Sequence, residues 1–212
     1  MEINVISVSA GADGGIVVSF ELREGEKRSV DRFLISLGAY TELSICVGRS
    51  SCEIYEAVAE RAKLYGAYKH GSYLLGFSSC SNRMLYRKLV MKGFEPEISR
   101  MAVNKLEADG LLDEKASAFR EAEKCVAKLW GETRIRAHLV EKGYREDAVE
   151  EAILLLIDAE VDFDENCFEL LQKKYAPLPK DKKERQKIVA SMDTIRDTNK
   201  KGGRGILART AY

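Results

Sequence analysis

Apolar positions follow two different patterns along this chain, and the change falls near residue 52. Before it, Ile3, Val5, Ile6 and Val8, and then Ile16, Val17, Val18, Phe20 and Leu22, form two runs of strand character. The glycine-rich Gly11-Ala12-Asp13-Gly14-Gly15 between them reads as a turn, so a β-hairpin is predicted to open the chain. Residues 29–37 read as a short helix ended by Gly38, and 43–47 as a further short strand. Together 1–52 make a small β-containing α/β element.

Beyond Cys52 the apolar spacing becomes helical, with helices predicted at 53–76, 82–92, 96–108, 113–129, 133–142, 145–158 and 164–175. Ser81 is placed to cap the second, and Pro96 sits in the first turn of the third, where its missing N–H costs nothing. Gly66, Gly71 and Gly76 weaken the first helix by roughly 1 kcal/mol each relative to alanine, and a bend or early end there is compatible with them.

The helical part repeats itself. Leu89-Val90-Met91-Lys92-Gly93-Phe94 recurs fifty residues on as Leu139-Val140-Glu141-Lys142-Gly143-Tyr144. Leu85 likewise lies over Ile135, Val103 over Ile153, Leu106 over Leu156 and Leu111 over Val161. In each copy the Lys-Gly-aromatic triplet is a helix stop: lysine meets the negative end of the dipole, glycine takes the left-handed turn, and the aromatic packs back. The helix after it carries one apolar stripe, clearest in Val149, Ala152, Ile153, Leu156 and Ile157. A unit with one apolar face must stack on a neighbour, so the expected fold is mainly α: tandem three-helix repeats in an elongated, curved array behind the N-terminal β element. The first repeat is 53–112 and the second 113–163. Residues 164–212 form a degenerate third repeat and a tail, since no third triplet appears.

Lysine plus arginine equals aspartate plus glutamate at 34 each in 212 residues, so bulk charge gives no reason to hold nucleic acid. The balance is uneven: residues 180–212 carry 10 basic and 4 acidic side chains, 53–179 carry 19 and 23, and 1–52 carry 5 and 7. The tail residues Lys180, Lys182, Lys183, Arg185 and Lys187 are candidates for weak contact with DNA. No apolar run approaches the roughly 20 residues that span a membrane, and the N-terminus has no secretion signal, so a cytoplasmic protein is expected. Cys46, Cys52, Cys80, Cys125 and Cys167 show neither pairing nor ligand spacing, which predicts reduced thiols and no metal.

Catalytic patterns are missing. The two histidines, His70 and His138, lie on separate helices, and no phosphate-binding loop, H-E-x-x-H or G-x-S-x-G motif is present. The acidic run Asp158-Ala159-Glu160-Val161-Asp162 lacks the central glycine of a calcium loop; Asp113 and Asp164 read instead as helix caps. What remains is a basic helix surface: Arg83, Arg87, Lys88 and Lys92 in the first repeat, and Arg134, Arg136 and Lys142 in the second. A solvated face explains it, as does a docking surface for an acidic or nucleic-acid-containing partner.

The combination of Ser81-x-x-x-Leu85-x-x-Lys88-Leu89-x-x-Lys92-Gly93-Phe94, Leu106-x-x-Asp109-Gly110-Leu111-Leu112-Asp113 and Gly131-x-x-Arg134-Ile135-Arg136-x-x-Leu139-x-x-Lys142-Gly143-Tyr144 resembles the bacterial recombination regulator family RecX. The likeness covers roughly 65–175, and Met84 stands where that family usually has glutamate. The resemblance implies a non-enzymatic, monomeric, cofactor-free regulator that binds RecA nucleoprotein filaments and restrains their activity in recombination and the SOS response. The alternative is a helical-repeat nucleic-acid-binding protein that acts without RecA.

Overall fold

The computed structural model describes residues 2–11 and 14–163, together with Glu165, Asn166, Glu169, Leu170, Lys173 and Lys183. Strands β1 (Glu2–Ala10), β2 (Gly15–Glu24), β3 (Lys27–Ser36) and β4 (Gly48–Ser50) form one antiparallel sheet in the order β3-β2-β1-β4. Helix α1 (Leu37–Glu42) precedes β4; then come α2 (Cys52–Phe77), α3 (Asn82–Lys92), α4 (Pro96–Ala108), α5 (Glu114–Val126), α6 (Glu132–Glu141) and α7 (Glu146–Asp158).

The opening hairpin is present, closed by the Gly11 N–H on the Gly15 carbonyl at 2.7 Å. Two expectations beside it are corrected. Residues 29–37 are mostly strand, not helix: β3 pairs with β2 from Glu24↔Lys27 to Gly15↔Ser36 across a two-residue turn in which Gly25 takes φ +62°. The reason is a period of two. Asp31, Phe33 and Ile35 alternate with Val30, Arg32 and Leu34, and the acid belongs to the inner set because Tyr55 donates to Asp31 at 2.5 Å. That bond, with burial and the charge behind it, pushes the Tyr55 hydroxyl up to about 12. Gly38 therefore lies inside α1, and the expected strand at 43–47 is a turn followed by irregular chain, with β4 beginning only at Gly48.

By contact the chain divides into two units, Met1–Ser78 with Leu85–Leu112, and Ser79–Met84 with Asp113–Tyr212. In the first, the long helix α2 serves two cores. Its N-terminal half lays Ile54, Tyr55, Val58 and Ala62 on the sheet residues Ile3, Val5, Val18, Phe20 and Ile35. Its C-terminal half packs against α4, and Gly71 is needed there: a Cβ would lie 2.6 Å from Leu106 Cδ1. The helix runs unbroken through Gly66, Gly71 and Gly76.

The second unit is built around Ala118, Ala122, Cys125, Ile135, Leu139, Tyr144, Ala148, Val149, Ala152, Ile153 and Leu156. The fifty-residue repeat is visible in burial: Leu85, Leu89, Ala102 and Leu106 are buried in α3 and α4 as Ile135, Leu139, Ala152 and Leu156 are in α6 and α7. Both triplets end their helices in the Schellman manner. Gly93 N–H donates to Val90 and Phe94 N–H to Leu89; Gly143 donates to Val140 and Tyr144 to Leu139, with φ +104° and +83° at the two glycines. Asp113 caps α5 by accepting from Ala116 N–H at 3.0 Å. The expected cap at Asp164 lies outside the described residues, as does most of 164–175.

Candidate functional site

Helix α3 forms because Ser81 stops the preceding chain and caps it. The Ser81 hydroxyl accepts from Met84 N–H at 3.2 Å and donates to the Lys142 carbonyl at 2.7 Å, so one buried side chain satisfies two helix ends in the second unit. Leu85 and Leu89 fix which face is buried, which turns Arg83, Arg87 and Lys92 to solvent and leaves Lys88 half-buried. None of these four cations makes an ion pair among the described residues. Arg83 to Arg87 and Lys88 to Lys92 are also like-charge pairs at i,i+4, each costing the helix about 0.2–0.5 kcal/mol.

Helix α6 holds its cations differently. Arg136, with 31% of its side chain exposed, donates to Glu132 Oε1 at 2.8 Å and to Glu150, and burial, which opposes its charge, is outweighed by those two carboxylates. Arg134 lies over Trp130, 4.0 Å from the ring centroid, and Lys128 approaches the same ring at 5.4 Å. Lys142 is 3.6 Å from Glu121, which also contacts His138 at 3.1 Å and Lys124 at 3.4 Å. Burial alone would raise the Glu121 carboxyl, but the bond to His138 and the Lys142 and Lys124 charges hold it below its ordinary value.

Of the expected docking residues, Arg87, Lys88 and Lys92 thus belong to the first unit, and Arg83, Arg134, Arg136 and Lys142 to the second. In the tail Lys183 is exposed; Lys180, Lys182, Arg185 and Lys187 lie outside the described residues. His70 stacks near Tyr73 and Phe94, and His138 meets Glu121 and the edge of Trp130. No group of three metal-ligating side chains occurs among the described residues, and no helix among them is long and apolar enough to cross a membrane.

A signal in the sequence escapes segment-wide counting. Residues 61–94 contain no Asp or Glu at all, against seven Lys and Arg and six Tyr and Phe. Averaging over 53–179 conceals it, because the acids crowd into 95–165. Arg61 and Lys63 are answered from outside the stretch, by Glu42 at 2.8 Å and Glu95 at 2.7 Å.

No model of a known protein family matches the chain. It is similar to the regulatory protein RecX of Xanthomonas campestris pv. campestris (strain B100), 32% identical over 95 residues, or 45% of this chain and 57% of the relative. It is also 33% identical over 102 residues to that of Pseudomonas savastanoi pv. phaseolicola (strain 1448A / Race 6), 48% of this chain and 64% of the relative. The chain thus spans between half and two thirds of the length of the curated relatives it matches. A crystal structure of a regulatory protein RecX shares the fold with TM-score 0.71 at 21% identity, over 91% of this chain and 93% of that one. The likeness, in sequence and in fold, is to RecX. The crystal structure of RecX from Lactobacillus salivarius covers 69% of the chain at TM-score 0.58 and 18% identity, and 96% of its own length. The repeated helices and the N-terminal sheet therefore share the fold of a solved RecX structure.

Proposed function

We propose that this chain is a RecX protein, a non-enzymatic regulator that binds RecA recombinase filaments and restrains their activity in recombination and repair. The observation that carries the proposal is the set Arg87, Lys88 and Lys92, exposed or half-buried cations that no carboxylate answers among the described residues. A helix keeps such like-charge pairs at a cost to itself, and an anionic partner is what recovers it. Arg83, Arg134 and Lys142 extend the docking set, with Arg136 as a supporting member. In this reading 53–112 and 113–163 are the two intact repeats, 1–52 is an extension, and 164–212 is a worn third repeat whose Lys180, Lys182, Lys183, Arg185 and Lys187 add weak DNA contact. The protein acts as a cytoplasmic monomer.

The test is co-sedimentation with RecA filaments assembled on single-stranded DNA with ATP. The wild type should pellet with the filament and slow its ATP hydrolysis; protein left in the supernatant across the titration refutes the reading. The acid-free stretch 61–94 favours a second reading, a nucleic-acid-binding protein that acts without RecA. Tight, salt-sensitive binding to bare DNA with no added effect of RecA would select it.

A further inference from the structure

Four rings stand in a row on the first unit: Phe94 to His70 at 6.0 Å, His70 to Tyr73 at 6.2 Å, and Tyr73 to Phe77 at 4.7 Å between centroids. The row is not core. Tyr73 is 62% exposed and Phe77 73%, while the apolar positions that hold α2 in place are elsewhere on the helix. Two glycines on this side of α2 have no packing reason to be glycine. A Cβ at Gly76 would meet nothing within 4 Å, and one at Gly66 only Phe94 at an ordinary 3.7 Å, unlike Gly71 with its 2.6 Å clash. Each lowers helix propensity, yet both leave open floor beside the exposed rings. The row's own stretch, 61–94, holds no acid, with Lys69 on the same helix and Lys88 and Lys92 on α3, and Glu95, which follows Phe94, is paired with Lys63 at 2.7 Å.

We propose that this ring row is a binding site for single-stranded nucleic acid, with unpaired bases stacking on Tyr73 and Phe77 and the phosphates following Lys69, Lys88 and Lys92. Exposed rings accept any base by its π-face, and lysines at their flank track the backbone, which is the chemistry of sequence-tolerant single-strand binding. The bare floor at Gly76 lets a base lie flat against the helix. An apolar protein partner would gain nothing from these lysines, and a second copy docking through the same patch would bring like charge against like. The inference does not rest on RecA binding.

The probe is a fluorescent oligothymidylate of about 20 nucleotides, longer than the ~4–16 that one small domain covers, titrated with the free protein. Tyr73→Ala with Phe77→Ala should weaken binding at least about tenfold, since each lost stack is worth roughly fivefold or more, and should leave the melting temperature unchanged. Binding to a duplex of the same length should change less than about twofold, because its bases are not free to stack. Phe77→Trp should retain affinity, and its added fluorescence should be quenched by the oligonucleotide; this variant decides the matter if the double variant folds poorly. Gly76→Leu should weaken binding by covering the floor. Four results would overturn the site: no wild-type binding to the oligonucleotide, unchanged affinity in the folded double variant, an equal loss on duplex, or a loss confined to RecA filaments. A failure of RecA co-sedimentation with these results intact would remove only the filament reading.

Discussion

On α6, Arg136 lies between Glu132 and Glu150, and Lys142 lies beside Glu121. Fifty residues earlier the places of those three carboxylates are held by Asn82, Arg100 and Gly71. The cations of α3 therefore have no counter-charges among the described residues, while at α6 Arg136 and Lys142 are ion-paired and Arg134 lies over Trp130. The two helices bury matching residues, Leu85 and Leu89 against Ile135 and Leu139, so packing does not dictate the difference. Repeats that keep the same buried positions can differ at their surfaces, and here the second copy answers Arg136 and Lys142 with its own carboxylates. Charge counted along the sequence cannot see this. It takes the partner of each cation to separate a docking residue from a structural one.

The sharpest way to break the comparison is charge reversal on both helices. Arg87→Glu with Lys88→Glu should reduce RecA-filament affinity at least about tenfold, roughly 1.4 kcal/mol, while stability moves by no more than about 0.5 kcal/mol per site. Arg136→Glu should do the opposite. It sets a third carboxylate beside Glu132 and Glu150 on a half-buried site, and should cost about 1–2 kcal/mol in denaturant titration with less effect on binding. The sequence alone treats Arg87 and Arg136 as equivalent; equal stability and equal binding loss in the two variants would restore that view.

The helix stops sharpen the comparison at a smaller scale. Gly93→Ala and Gly143→Ala each place a Cβ at positive φ and should cost about 1 kcal/mol or somewhat more. At Gly93 the new atom meets nothing within 4 Å; at Gly143 it lies 2.9 Å from Arg83 Cδ and 3.1 Å from Arg83 Cβ. Arg83→Ala removes the first contact and not the second. Urea unfolding of the double-mutant cycle should therefore show coupling of about 0.5 kcal/mol or more between Gly143→Ala and Arg83→Ala, and none between Gly93→Ala and Arg83→Ala.

Acid should also act on the second unit through the Glu121 hub. Because Glu121 titrates below its ordinary 4.5 in the folded chain, its contribution is fully present above that value and is lost as pH falls through the lower, folded value. Thermal melts of the wild type should fall in that acid range, and Glu121→Gln should flatten part of the fall. The partly solvated site keeps the effect small.

Much of the helical part was legible in the sequence because its signals are local and repeated. Ser81, Pro96, Asp113, Gly93 and Gly143 punctuate the chain chemically, and α3 and α4 occupy the expected residues. The N-terminal element was less legible because its decisive contact is long-range. Asp31 interrupts the apolar pattern of β3 until Tyr55, twenty-four residues away, is known to hold it. The ring row was hidden for a related reason: which aromatic positions of α2 stay exposed, Tyr73 and Phe77 among them, is set by packing against distant elements. Counter-charges such as Glu150 for Arg136 are fourteen residues apart and carry no motif.

The smallest effect concerns the last turn of each repeat. Gly110 takes φ +71° after α4, where Gly110 N–H donates to Glu107 and Leu111 N–H to Leu106. Its counterpart fifty residues on is Glu160, held at φ +54° after α7, with Glu160 N–H on Ile157 and Val161 N–H on Leu156. The two turns make the same pair of bonds, but the second does so with a side chain that the left-handed region disfavours by roughly 1 kcal/mol. Glycine loses more backbone entropy on folding, which offsets part of that gain. Glu160→Gly should therefore stabilise the second unit by only about 0.5 kcal/mol, whereas Gly110→Ala should destabilise the first by about 1 kcal/mol. Denaturant midpoints at unchanged slope would measure both; a loss of stability in Glu160→Gly would mean that the glutamate makes a contact at α7 worth more than its backbone strain, and that the two repeat ends are less alike than their hydrogen bonds.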